Sequence, residues 1–280
     1  MLLKAKEEGY AVGAFNANNM EIIQAIVETA EEERAPVILQ ASQGAIKYAG
    51  LDFIVAMVRA AAESVKVPVA LHLDHGTDVN QNVKCLRAGF TSLMFDGSKL
   101  PFEQNIEITR RVCDMAHPCS VPVEGEVGQI GKCDDSDEPG VSIEKAKQLM
   151  VKPSEAKRFV EETGVDSLAI AVGTIHGCKS AFAKIDLKLI KSISDMVPVP
   201  LVLHGGSGCD DEEIKKGIKA GISKINIDTR IRMAFSNAIR DFMKNNPGEI
   251  DPRKILERAK NAAKEVVRDR IRVFGTGARA

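Results

Sequence analysis

The sequence predicts a (β/α)8 TIM barrel, and three observations carry that prediction. Eight short apolar runs alternate with amphipathic stretches from one end of the chain to the other. The runs are near-continuous in Val, Ile and Leu, which means burial on both faces and hence parallel pairing. Eight such units in about 250 residues match a closed barrel. A doubly wound open sheet would carry GxGxxG after its first strand, and none follows the first run here.

The strands are expected over Ala11–Phe15, Val37–Gln40, Val69–Leu73, Ser92–Asp96, Val121–Glu124, Ser167–Ala171, Leu201–His204 and Lys224–Asp228. Helices are expected near 20–33, 53–64, 79–88, 102–116, 154–163, 186–196, 211–220 and 230–244. Pro101, Pro153-Ser154 and Asp210 suit helix starts. Gly89, Gly164 and Gly221 suit helix ends, where a left-handed residue closes the last turn. A further helix, Pro252–Phe274, is expected beyond the eighth unit. The segment Gly125–Met150 has no clear helix and reads as a long loop on the catalytic face, fit to serve as a lid. No composition break or linker divides the chain, so residues 1–280 are expected to form one domain.

At 280 residues and 44% apolar content the chain is long enough for a large core. A net charge of −1, with basic and acidic residues interspersed, argues against nucleic acid or a membrane surface as partner. No run approaches the roughly 18–20 apolar residues of a membrane span. The charged start, Met1–Glu8, is unlike a secretory signal, so a cytoplasmic location is expected. The six cysteines form no CxxC pair and are expected to be reduced. Cys178 and Cys209 lie near the candidate metal ligands, but three histidines suffice for zinc without them.

Those histidines are His75, His176 and His204, each after an apolar run and beside a polar or glycine-rich turn. Imidazoles at the ends of strands three, six and seven share the face where barrel active sites form. Three of them can bind one Zn²⁺ and leave a position open for substrate. His72, inside a strand, and His117, before Pro118, lack that context and read as structural. Asp74, beside His75, is placed for general acid/base work if both neighbours turn into the site. The turn His204-Gly205-Gly206-Ser207-Gly208 and the strand end Asn226-Ile227-Asp228-Thr229 each lead into a helix. Backbone N–H groups there can face an anion, on the loops where barrel enzymes hold phosphate. A small phosphorylated substrate beside a Lewis-acidic metal follows. Hydrolysis, isomerisation and carbon–carbon cleavage all remain open. A Schiff-base route would need a desolvated lysine; Lys224, expected in polar context at the wrong end of its strand, does not meet that need.

Several stretches resemble the class II, zinc-dependent fructose-bisphosphate and tagatose-bisphosphate aldolases over nearly the whole chain. They are Gly9–Asn16, Leu71-His72-Leu73-Asp74-His75-Gly76, Phe90–Ser98, Gly173-Thr174-Ile175-His176-Gly177, Val202–Gly208 and Lys224–Thr229. The resemblance implies that His75, His176 and His204 bind the zinc and that Asp74 is the acid/base at the C4 hydroxyl. It implies a secondary divalent position at Asp96 and Glu126, and a monovalent cation beside the substrate phosphate. Gly177, Gly205, Ser207, Asp228 and Thr229, with Gly206 and Ile227 between them, match the site for the dihydroxyacetone-phosphate half. Asn226 matches a residue near the reacting carbons, and Ser42 a contact to the aldehyde half. Expected partners are a phosphorylated ketose, triose phosphates and further copies of the chain in a homodimer or homotetramer. A basic residue from a neighbouring subunit aligns near Arg258 or Lys260. Two departures stand out: Asp134 occupies the place of a loop glutamate, and the short amino end is expected to trim a leading helix.

Overall fold

The computed structural model describes residues 1–133, 148–177 and 184–280. Eight parallel strands form the sheet: β1 (Val12–Asn16), β2 (Val37–Ser42), β3 (Val69–Asp74), β4 (Leu93–Phe95), β5 (Val123–Val127), β6 (Ser167–Ile170), β7 (Leu201–Leu203) and β8 (Ile222–Ile227). Their order is β3-β2-β1-β8-β7-β6-β5-β4. Isolated bridges His72↔Ser92 and Gly76↔Phe95 bring β3 against β4, so the sheet curls into a nearly closed barrel. It is a TIM barrel, as the alternation of runs predicts.

Helices follow the strands: α1 (Leu2–Glu8), α2 (Met20–Glu33), α3 (Gln43–Ala49), α4 (Leu51–Glu63), α5 (Val79–Ala88), α6 (Phe102–Ala116), α7 (Pro153–Thr163), α8 (Leu187–Ser194), α9 (Asp211–Ala220), α10 (Thr229–Asn245) and α11 (Pro252–Phe274). Two were not foreseen. The helix α1 is present despite the short amino end; with Ala5 and Leu2 it covers Tyr10, Val12, Ala14 and Ile38 at the amino-terminal mouth of the barrel. The helix α3 follows β2, capped by Ser42, whose Oγ accepts from Ala45 N at 3.2 Å. Each is only seven residues long with one buried residue, too short to display a helical period.

Alternate strand residues divide two environments. Phe15, Leu39, Leu71, Leu73, Phe95, Leu168, Ile170, Leu203, Ile225 and Ile227 face the helices and build the main core. The barrel interior departs from the branched apolar filling usual in this fold. It holds Asn16, Gln40, His72, Asp74, Glu124, Glu126, Lys224 and Asn226, every one buried. Burial on both faces is as expected, but the inner face is polar, so the reading of uninterrupted apolar strands was half right.

The expected long loop begins later than predicted, because β5 continues to Val127. Beyond it a two-residue strand, Gly131–Lys132, pairs with another, Ile175–His176. Asp134 and the rest of the acidic stretch lie outside the described residues, as does Cys178. Cys133 is disulfide-bonded, against the expectation of reduced thiols. Cys85, Cys113, Cys119 and Cys209 are free.

Candidate metal centre and active site

The three histidines, Asp74, Asp96 and Glu126 gather at the carboxyl-terminal ends of the strands. The ring centroids of His75, His176 and His204 lie 4.9, 4.7 and 5.6 Å apart. One nitrogen from each lies within 4.8 Å of the others, close enough for one ion. His204 directly follows β7. His176 stands beyond the end of β6, on its own short strand, where Cys133 N donates to its carbonyl at 2.8 Å. His75 has a φ of 50°, a left-handed conformation uncommon for a side chain with a Cβ. That turn breaks the strand alternation and lets neighbours Asp74 and His75 enter the same site, with Asp74 Oδ1 and His75 Nε2 3.9 Å apart.

The hydrogen bonds leave suitable atoms free. His75 Nδ1 pairs with Asp96 Oδ2 at 2.7 Å, and His204 Nε2 with Glu124 Oε1 at 2.9 Å. His176 Nε2 and His204 Nδ1 are buried without a hydrogen-bond partner, as is Glu126 Oε2. Orphaned buried nitrogens are costly in a native protein unless something else engages them. A borderline-soft divalent ion fits this donor set. Asp96, Glu126 and His75 form a second group of the same kind. Burial opposes charge on His176 and lowers its pKa to about 3, leaving the neutral ring a metal needs. Burial also opposes charge on His204, but its hydrogen bond to Glu124 and the nearby Glu126 carboxylate, whose Oε2 lies 3.2 Å from Nδ1, overcome it and raise the pKa to about 10.

Asp74 is 5% exposed. Burial pushes its pKa up, yet the fields of His75, His204 and Lys224 outweigh that, and the net shift is downward. Asn226 Nδ2 donates to Asp74 Oδ1 at 3.2 Å, and Asn16 Nδ2 approaches Oδ2 at 3.4 Å. Asn16 is in turn fixed by Gln40 Nε2, which donates to its Oδ1 at 2.6 Å. Sequence reasoning missed Asn16, Gln40 and Glu124. Their only signal was polar alternation, as in Val123-Glu124-Gly125-Glu126-Val127, which becomes meaningful once an inner face is known.

On the far side, Gly205 has a φ of 69°, and a Cβ there would meet Ile175 O at 2.8 Å. Glycine therefore allows this turn to lie against the His176 strand. Ser207 Oγ accepts from Asp228 N at 3.2 Å, while Arg230 donates to the carbonyls of Ser207 and Cys209 at 2.8 Å each. The two expected anion loops are thus tied together. Gly206 packs on Ile225, and Ile227 turns its side chain into the outer core, so each offers only backbone. Asp228 contacts Asn18 and Arg232. Thr229 opens α10, Ser42 ends β2 in register with Asp74, and Gly177 is described with a φ of 80°. Lys260 is held by Glu28 at 3.0 Å, whereas Arg258 is exposed. His117 pairs with Asp166 away from the site, and His72 is buried inside the barrel.

A parallel barrel with three converging imidazoles and a buried carboxylate at its carboxyl-terminal mouth defines a metal-dependent barrel enzyme. The chain belongs to the class II fructose-bisphosphate aldolase family, whose model, "Fructose-bisphosphate aldolase class-II", matches residues 1–279. It is therefore an aldolase, a lyase of a metal-dependent family that acts on sugar phosphates. A fructose-bisphosphate aldolase of Thermus caldophilus is 44% identical over 303 residues, covering 100% of this chain and 98% of that protein. A probable fructose-bisphosphate aldolase of Bacillus subtilis is 44% identical over 284 residues, covering 100% and 97%. The crystal structure of the YdjI aldolase from Escherichia coli K12 superposes with a TM-score of 0.86 at 32% identity, covering 100% and 96%.

Proposed function

We propose that this protein cleaves fructose 1,6-bisphosphate reversibly into dihydroxyacetone phosphate and glyceraldehyde 3-phosphate, using one Zn²⁺ held by His75, His176 and His204. The observation that carries the reading is the convergence of those three rings on the buried Asp74 carboxylate. A divalent ion there supplies Lewis-acid polarisation of the ketose carbonyl. Asp74, ionised and held by Asn16 and Asn226, takes the proton of the C4 hydroxyl, and the C3–C4 bond breaks with its electron pair left on the ketose fragment. The C4–C6 fragment leaves as glyceraldehyde 3-phosphate, and protonation at C3 of the remaining fragment gives dihydroxyacetone phosphate.

Backbone groups of Gly177, Gly205, Gly206, Ser207, Ile227, Asp228 and Thr229 hold the phosphate of the ketose half, and Ser42 meets the aldehyde half. Fixing the substrate at both ends removes orientational freedom before the bond breaks. Asp96 and Glu126 offer a secondary divalent position, and the carboxylate of Asp228 offers a place for a monovalent counter-cation beside the phosphate. Residues 1–280 act as one catalytic domain, cytoplasmic, in a homodimer or homotetramer. Exposed Tyr48 and Phe53 support the oligomer, and no described helix is long and apolar enough to cross a membrane.

The test is triose-phosphate release from fructose and tagatose 1,6-bisphosphates, with and without chelator. Chelator-sensitive cleavage restored by zinc, faster on the fructose sugar, is the expected result. Faster cleavage of the tagatose sugar would reassign the substrate, and no cleavage by folded, zinc-loaded protein would overturn the reading.

A further inference from the structure

Beneath the candidate ligands lies a buried cluster that ends on one of them, His204. Lys224 Nζ donates to Glu124 Oε2 at 2.7 Å and to His72 Nε2 at 3.3 Å. Glu124 Oε1 meets His204 Nε2 at 2.9 Å, and His72 Nδ1 meets Ser92 Oγ at 2.8 Å. Lys224, Glu124, His72 and His204 are each no more than 2% exposed, so water cannot substitute for a wrong partner.

The donor inventory leaves one arrangement. A lysine only donates and an ionised carboxylate only accepts. Both oxygens of Glu124 are therefore acceptors, one for Lys224 and one for His204. A proton of His204 is therefore required on Nε2, and its Nδ1, 3.2 Å from Glu126 Oε2 and grouped with ring nitrogens of His75 and His176, is the atom left for the metal. His72, accepting from Lys224 at Nε2, must carry its own proton on Nδ1, where Ser92 accepts it.

We propose that Glu124 and Lys224 are positioning residues that lock the tautomer of His204 and so set the metal affinity of the site. The inference rests on the metal reading above but concerns residues outside both candidate ligand groups. Replacing Glu124 by glutamine sharpens it, because an amide has one acceptor oxygen for two donors. Lys224 cannot accept, so it claims that oxygen and the NH2 group is forced against His204 Nε2. The imidazole proton then moves to Nδ1, the atom the metal requires. Without Lys224 the same amide can turn its oxygen to His204 and its NH2 group toward His72, and the conflict disappears.

Zinc affinity is measured by competition with a chelator of known strength in the parent, E124Q, K224M and E124Q/K224M proteins, with folding followed by thermal melting. E124Q is expected to bind zinc about 10–100-fold more weakly, the usual effect of losing a carboxylate behind a ligating histidine. The double variant is expected to recover to within about threefold of K224M, an outcome that additive structural damage would not give. Equal affinity in E124Q and the parent, or a double variant as weak as E124Q, overturns the lock. A parent that binds no zinc overturns the metal reading instead. If E124Q does not fold, nitrogen-15 spectra of the zinc-loaded parent decide: an exchange-protected proton on His204 Nε2 is expected, and a proton on Nδ1 overturns the proposal.

Discussion

Asp74 and His72 show how two residues apart on one strand can have unrelated tasks. Asp74 is held ionised by His75, His204 and Lys224 despite its burial. Asp74→Asn keeps the contacts to the barrel but removes the base; kcat is expected to fall about 10²–10⁴-fold with bound zinc unchanged, checked by kinetics and metal analysis on one sample. His72 is neutral because burial, then the nearby Lys224 charge, lower its pKa to about 3. A lowered histidine favours the folded state above its ordinary value of 6.5, and that contribution is lost as pH falls from there toward 3. The slope is up to about 1.4 kcal/mol per pH unit for one proton. Urea midpoints of metal-free protein should therefore fall less steeply for His72→Gln than for the parent between pH 6.5 and 4. Equal slopes would mean that His72 is protonated without cost.

At the scale of the elements, the eight barrel strands and their following helices were legible because apolar runs and helix-ending glycines both survive in the linear pattern. Gly89 and Gly164 take left-handed φ values of 97° and 71° at the helix ends where they were expected. What could not be read was α1, α3 and the polar inner face. A seven-residue helix shows less than two helical repeats, and polar strand residues acquire an inside only when the barrel closes. The candidate metal ligands were legible because each histidine ends its own apolar run, but Glu124 is simply one carboxylate among many in the linear chain. The turn at Gly205 gives an element-scale prediction. Gly205→Ala adds a Cβ at a left-handed φ, 2.8 Å from a backbone oxygen. It should lower stability by about 1–3 kcal/mol and raise KM for the bisphosphate more than it lowers kcat, measured by denaturation and steady-state kinetics. A normal KM would remove this turn from the phosphate site.

At the scale of the whole molecule, the candidate metal site draws on distant parts of the chain. β1 pairs with β8, α11 packs along α2 through Lys264 with Glu28 and Glu32, and Thr276 Oγ1 donates to Ala11 O at 2.5 Å. A ligand that binds only the folded state adds stability by mass action, about 4 kcal/mol at a thousand times its dissociation constant. Chelation should accordingly lower the melting temperature as well as abolish cleavage, and scanning calorimetry with and without zinc checks both the size and the reversibility. An unchanged melting temperature would mean that the ligands are held in place equally well without the ion. The order of the ligands along the chain also bears on biosynthesis. Lys224, which orders Glu124 behind His204, is translated after all three histidines. A nascent chain that has exposed His75 and His176 still lacks the third ligand, and one that has just exposed His204 still lacks β8. On the proposed metal reading, capture at the three-histidine site is thus a late event on the ribosome.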